Sequence, residues 1–183
     1  MARKSVWALE QKASALLREC GITEPEVDLQ RITDHLGATV VTVPGDDEIS
    51  GMLQRKGNEI IIGINASHHR NRRRFSIAHE CGHLRLHDKD LYLDGSGTLI
   101  HWRDQLSSLG TKDEEVEANQ FAACLLMPRE FIEQDLAAGV VSADRIAVSD
   151  EEAIATLAKR YGVSPQAMRN RLINLNLASP VAE

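Results

Sequence analysis

Residues 79 to 83 read His-Glu-Cys-Gly-His, the pattern HExxH. On a helix, histidines at i and i+4 lie about 40° apart around the axis and ~6 Å apart along it. Both rings can then reach one metal ion at the ~2.1 Å of a Zn–N bond. Glu80 sits beside the first histidine, where its carboxylate can take a proton from a water that the metal activates. Chance yields only ~0.02 such matches in a chain of this composition, so the pattern marks a candidate metal centre rather than scattered histidines. Cys81 lies ~200° round the helix from His79 and reads as a core thiol.

A catalytic zinc needs a third protein ligand and an open position. His87 is eight residues beyond His79, ~12 Å along a straight helix, so the three histidines cannot all meet at one ion. Leu86 and Lys89 stand where an extended metzincin pattern needs glycine and histidine. A carboxylate from another helix is therefore expected. Asp113, Glu114, Glu115 and Glu117 cluster at the start of a segment that continues Ala118-Asn119-Gln120-Phe121-Ala122-Ala123. At helical spacing Glu115, Ala118, Asn119 and Ala122 share one face. Glu115 can ligate from that face, while Asn119, one turn on, can hold a ligand histidine by its second nitrogen. The alanines permit close approach to the first helix. Glu114 is the alternative ligand, less favoured by this geometry, and Glu114 and Glu117 read as solvated. His101 and Tyr92, with Trp102 nearby, are candidates to stabilise the oxyanion of a tetrahedral intermediate.

These residues need elements to hold them. Trp7 to Glu19 and Val27 to Leu36 read as helices stopped by Gly21 and Gly37. Thr39 to Val43 is a β-branched strand that closes at Pro44-Gly45, and Ile49 to Gln54 with Glu59 to Asn65 forms a hairpin. The edge of this sheet, at Glu59 to Asn65, is expected to bind substrate by strand addition. Ser67 to His87 reads as the long HExxH helix, 88 to 112 as an irregular stretch placed to cover the cleft, and Asp113 to Met127 as the second ligand-bearing helix. Pro128 opens another helix through Leu136, and Asp150 to Tyr161 and Pro165 to Leu175 close the chain as a helical pair. The order predicts an α+β architecture with a small three-stranded sheet. One domain over 1–183 is expected: helices in 1–37, sheet in 38–66, site helices and loop in 67–138, and a helix-turn-helix-like pair in 150–177.

Composition narrows the classes. The chain has 183 residues, a net charge of -6 and only 4% aromatic residues, so the core is mostly aliphatic. An acidic balance is the opposite of what nucleic-acid binding uses. Three separated cysteines argue against a disulfide framework or a cysteine zinc site. No run reaches the ~20 apolar residues of a membrane span and no signal peptide is read, so a cytoplasmic location is expected. The basic run at 68–74 reads as a solvated helix start.

The segments Arg74 to His83 and Glu115 to Pro128 closely resemble the ImmA/IrrE family of bacterial metallopeptidases. The likeness extends to Ile49-Ser50-Gly51-Met52, to Ile61 to Asn65, and to Tyr161-Gly162-Val163-Ser164. Cys81 stands where the family more often has leucine, and no C-terminal sensor domain of the radiation-response branch follows. The resemblance implies a zincin-like fold, zinc held by His79, His83 and Glu115, and Glu80 as general base. It also implies that the substrates are helix-turn-helix transcriptional repressors. The expected function is thus a zinc-dependent endopeptidase that cleaves such a repressor, with manganese as an alternative metal. The rival is a DNA-binding regulator or toxin–antitoxin partner that uses Gln166, Arg169, Asn170 and Asn174, with a non-catalytic zinc site. A pair of helices packed on the peptidase core outweighs it, so direct nucleic-acid contact is not expected.

Overall fold

A computed structural model describes residues 4–44, 49–95, 111–141, 146–147 and 149–179. Helices α1 (Val6–Glu19) and α2 (Leu29–His35) lead into β1 (Ala38–Val43), β2 (Ile49–Lys56) and β3 (Glu59–Asn65). Then come α3 (Arg70–Leu86), β4 (Leu91–Gly95), α4 (Lys112–Leu126), α5 (Arg129–Ala137), β5 (Ile146–Ala147), α6 (Glu151–Tyr161), α7 (Pro165–Asn174) and β6 (Ala178–Ser179). The architecture is α+β, as the residue pattern predicts, and fits the zincin-like fold that the resemblance implies.

The main sheet has four strands rather than three, in the order β1-β3-β2-β4. The fourth, β4, lies in the stretch read as irregular. Its five residues are too few, and too close to glycines and charges, for alternation to stand out. Antiparallel pairing of Leu53 with Tyr92 and Met52 with Leu93 is what orders it. The order also corrects the expected binding edge. β3 pairs in parallel with β1 and antiparallel with β2, so both its sides are taken. The edges of the described sheet are β1 and β4. The turn between β2 and β3 places Gly57 at φ +61°, a conformation glycine adopts without steric cost.

α3 lies on β2 and β3 and is crossed by α4. The close approach runs through Gly82, where a Cβ would lie 3.1 Å from the Ala118 Cα and 3.3 Å from Phe121. The small residues expected on α4 thus meet a small residue on α3. α3 starts at Arg70 rather than Ser67, because Asn65 holds the preceding turn by accepting from the Ser67 amide at 2.9 Å. Its other end is capped from the sheet: the Arg55 guanidinium on β2 donates to the carbonyls of His87 at 3.0 Å and Leu84 at 3.3 Å, where the helix dipole favours a cation.

The basic run is partly the expected solvated start, with His69, Arg70 and Arg72 exposed, and partly a seam built around the mostly buried Arg74. Arg70 and Arg74 pair with Glu26 at 2.6 and 2.7 Å, and Arg72 donates to Ser50 at 2.8 Å. Asn71 donates to the Val163 carbonyl at 2.8 Å, tying α3 to the turn between α6 and α7. That turn has Gly162 at φ +62°, against the Glu26 carboxylate and Arg74. The helical pair buries Leu157, Tyr161, Met168 and Leu172 in the core. Arg171 is buried and donates to the Met127 carbonyl, while Arg169 pairs with Glu151 at the surface. No helix among the described residues is long and apolar enough to cross a membrane.

Candidate metal centre

The i, i+4 spacing on α3 brings the two HExxH rings together, with His79 Nε2 and His83 Nε2 3.0 Å apart. α4 supplies the third group: Glu115 places one oxygen 3.3 Å from His79 Nε2 and the other 3.4 Å from His83 Nε2. Bonds of ~2.1 Å in a tetrahedron put neighbouring ligand atoms ~3.4 Å apart, so these separations fit one divalent ion. Among the described residues the histidines are buried, while the Glu115 side chain keeps 31% exposure.

The hydrogen bonds support the same fit. Asn119 Oδ1 lies 3.1 Å from His79 Nδ1. A carbonyl oxygen only accepts, so Nδ1 carries the hydrogen, and in the neutral ring that a metal ligand requires Nε2 turns its lone pair toward the cluster. Burial raises the Glu115 carboxyl pKa, but its bonds with His79 and His83 overcome this and hold it at about 2. Burial lowers the pKa of both histidines. For His79, the hydrogen bond to Glu115 and the Glu80 charge outweigh it and draw the ring toward its charged form. Electron-rich atoms converging here demand a positive charge among them.

Glu80 is fully buried on the same helix, and neither carboxylate oxygen has a hydrogen-bond partner among the described residues. Burial pushes its pKa up to about 8, against the lowering pull of His79 and with added repulsion from Asp94 and Glu115. Such a carboxylate can exchange a proton near neutral pH. Its space is set by Gly51 on β2, where a Cβ would lie 2.8 Å from Glu80 Oε1. Gly51→Ala is therefore expected to keep metal binding while displacing Glu80. A misplacement of this size costs on the order of 10²-fold in rate. Metal analysis beside a peptide-cleavage assay checks it, and unchanged cleavage would show that Glu80 has room to spare.

Several expected positions need correction. Glu114 is only partly solvated: its carboxylate accepts from the Thr111 amide and from Lys89, each at 2.6 Å, closing a capping box that leaves Glu115 to face α3. Glu117 is not solvated. It is buried and accepts from Lys4 and His87. Tyr92 is 1% exposed, with its ring stacked on His83 at 3.9 Å between centroids. A buried hydroxyl cannot meet a substrate oxyanion, so Tyr92 buttresses a ring of the site instead. His101 and Trp102 lie outside the described residues. Cys81 is fully buried, as expected of a core thiol, and burial pushes its pKa up.

Sequence reasoning missed Gly51, Arg55, His87, Glu117 and Lys4. His87 carried a signal: it stands four residues beyond His83 and so on the same helical face. Its distance from His79 rules it out as a third ligand at that ion without ruling out contact with His83. Lys4 and Glu117 are 113 positions apart and carry no local signal. Beside the centre, a groove of about 720 Å³ runs between α4 and α7, with Asn119, Ala123, Met127 and Ala167 in its walls.

Comparison with known proteins agrees with this geometry. No curated protein sequence matches the chain significantly. A solved structure described as a Mycobacterium tuberculosis transcriptional regulator shares the fold, with a TM-score of 0.54 and 20% sequence identity. The match covers 90% of this chain and 46% of that one, so the chain spans about half the length of this relative. The family model of IrrE N-terminal-like domains, Peptidase_M78, matches residues 33–173, which include α3, the sheet strands β2 to β4, α4 and the helical pair. With that match over most of its length, the chain belongs to the IrrE N-terminal-like peptidase family.

Proposed function

We propose that this protein is a zinc-dependent endopeptidase acting as one unit, and that its substrate is a helix-turn-helix transcriptional repressor. The observation that carries the reading is the convergence of His79, His83 and Glu115, with the buried, unpartnered Glu80 beside them. His79 and His83 would hold the ion through Nε2 and Glu115 through its carboxylate, with Asn119 orienting His79. When bound, a divalent ion would supply Lewis acidity to the reaction. Two imidazoles and one carboxylate suit zinc and also accept manganese.

Glu80 takes a proton from the attacking water and returns it to the leaving amine nitrogen as the C–N bond breaks. Its raised pKa serves the second half of that cycle, because a carboxyl that holds its proton near neutrality can still donate it. The buried walls around Glu80 limit competing water. Asp94 of β4 stands opposite Gly51, beside Glu80, so a substrate strand added at the β4 edge would pass the catalytic carboxylate.

The peptidase family supports peptide-bond hydrolysis, and the repressor as substrate follows from the resemblance of the HExxH and Glu115 to Pro128 segments to their family. Of the residues the DNA-binding rival would use, Arg169 pairs with Glu151 and Gln166 bonds Asn170, which with the chain's net charge of -6 weighs against that rival. The test is incubation of zinc-loaded protein with casein and with a helix-turn-helix repressor encoded beside it. Cleavage of the repressor at an exposed linker, with casein left largely intact, is expected. An intact repressor under every metal condition would overturn the substrate assignment.

A further inference from the structure

We propose that His87, Glu117 and Lys4 form a positioning relay that fixes His83 with its Nε2 lone pair aimed at the candidate metal centre. The inference rests on reading His83 as a ligand, and it adds three residues that touch neither metal nor substrate. The geometry is continuous. His83 Nδ1 lies 3.1 Å from His87 Nδ1, and His87 Nε2 lies 3.1 Å from a Glu117 oxygen. Glu117 in turn accepts from the Lys4 amide at 2.5 Å and the Lys4 ammonium at 2.6 Å.

The far end of the chain sets the direction of every bond. Lys4 contributes only donors, so Glu117 is an ionised acceptor. His87 must then donate through Nε2. With its hydrogen on Nε2, the neutral His87 ring has only a lone pair left on Nδ1. His83 must donate to that lone pair through its own Nδ1, which leaves Nε2 bare toward His79 and Glu115. The stacked ring of Tyr92 stops His83 from turning away. Asn119 does the same for His79 in a single step, so each histidine of the pair has its own anchor.

Zinc affinity of the full chain, measured by competition with a chromophoric chelator, tests the relay. Glu117→Gln and His87→Leu should each weaken zinc binding by ~10–100-fold. His87→Gln should recover most of the loss, because its amide oxygen can accept from His83 Nδ1. The double variant Glu117→Gln/His87→Leu should bind no more weakly than His87→Leu alone, since both act through one bond. Unchanged affinity in the single variants, or fully additive losses, would overturn the relay. Ring-nitrogen NMR of the wild-type chain needs no variant to fold: His87 should carry its hydrogen on Nε2 and His83 on Nδ1, with or without zinc. A hydrogen on Nδ1 of His87 would refute the proposal. Wild-type protein that shows this pattern but binds no zinc would instead refute the metal reading and leave the hydrogen-bond chain standing.

Discussion

Glu80→Gln is expected to bind zinc as the wild type does and to cleave substrate ~10²–10⁴-fold more slowly, the usual contribution of a general base. The side chain keeps its shape, and Glu80 has no hydrogen-bond partner among the described residues to lose. Only proton transfer is removed. Substrate cleavage beside metal analysis is the measurement, and retained cleavage would remove Glu80 from its role. A pH series on metal-free protein gives an independent check. The folded carboxyl, with its pKa at about 8, binds its proton more tightly than the unfolded one near 4.5. Its stabilising contribution is thus fully present below the unfolded value and is lost as pH rises through the folded one. Wild-type Tm should fall relative to Glu80→Gln between those limits, and the two curves should converge in acid. Parallel curves would mean that Glu80 is better solvated than its burial indicates.

Glu115→Ala should weaken zinc binding by more than the ~10–100-fold expected for any residue of the His87 relay, because it removes a donor atom and not a support. The effect should also be visible as stability. A ligand that binds only the folded state at 1,000 times its Kd adds about 4.1 kcal/mol. A chelator should therefore lower the Tm of the wild type markedly and leave Glu115→Ala almost unmoved. Glu114→Ala separates the two neighbours. It loses the capping box with Thr111 and the pair with Lys89, so it should lower Tm with or without chelator while keeping zinc. If Glu114→Ala lost the metal and Glu115→Ala kept it, the ligand assignment would have to be exchanged.

The parts of this protein legible from sequence are those governed by short-range periodicity. His79 and His83 meet because 3.6 residues make a turn, and Glu115, Ala118 and Asn119 share a face for the same reason. The helices, the β2–β3 hairpin around Gly57 and the stop at Gly162 follow from propensity and turn chemistry a few residues long. The α+β class was readable from the order of those elements.

The rest depends on which distant segments meet. β4 exists because β2 offers Leu91 to Gly95 a partner, and its residues alone carry no clear strand pattern. Glu114 and Glu117 carry the same charge and flank Glu115, yet one caps its own helix and the other is buried under Lys4, 113 residues away. Tyr92 joins the site as a ring stacked on His83, because pairing with Leu53 holds its strand there. Gly51 matters only because β2 runs beside the catalytic carboxylate. Composition and spacing place chemistry on a helix face. Burial, which sets the pKa of Glu80 and decides who pairs with His87, arises only when the whole chain packs, since it depends on contacts between residues that no local pattern relates.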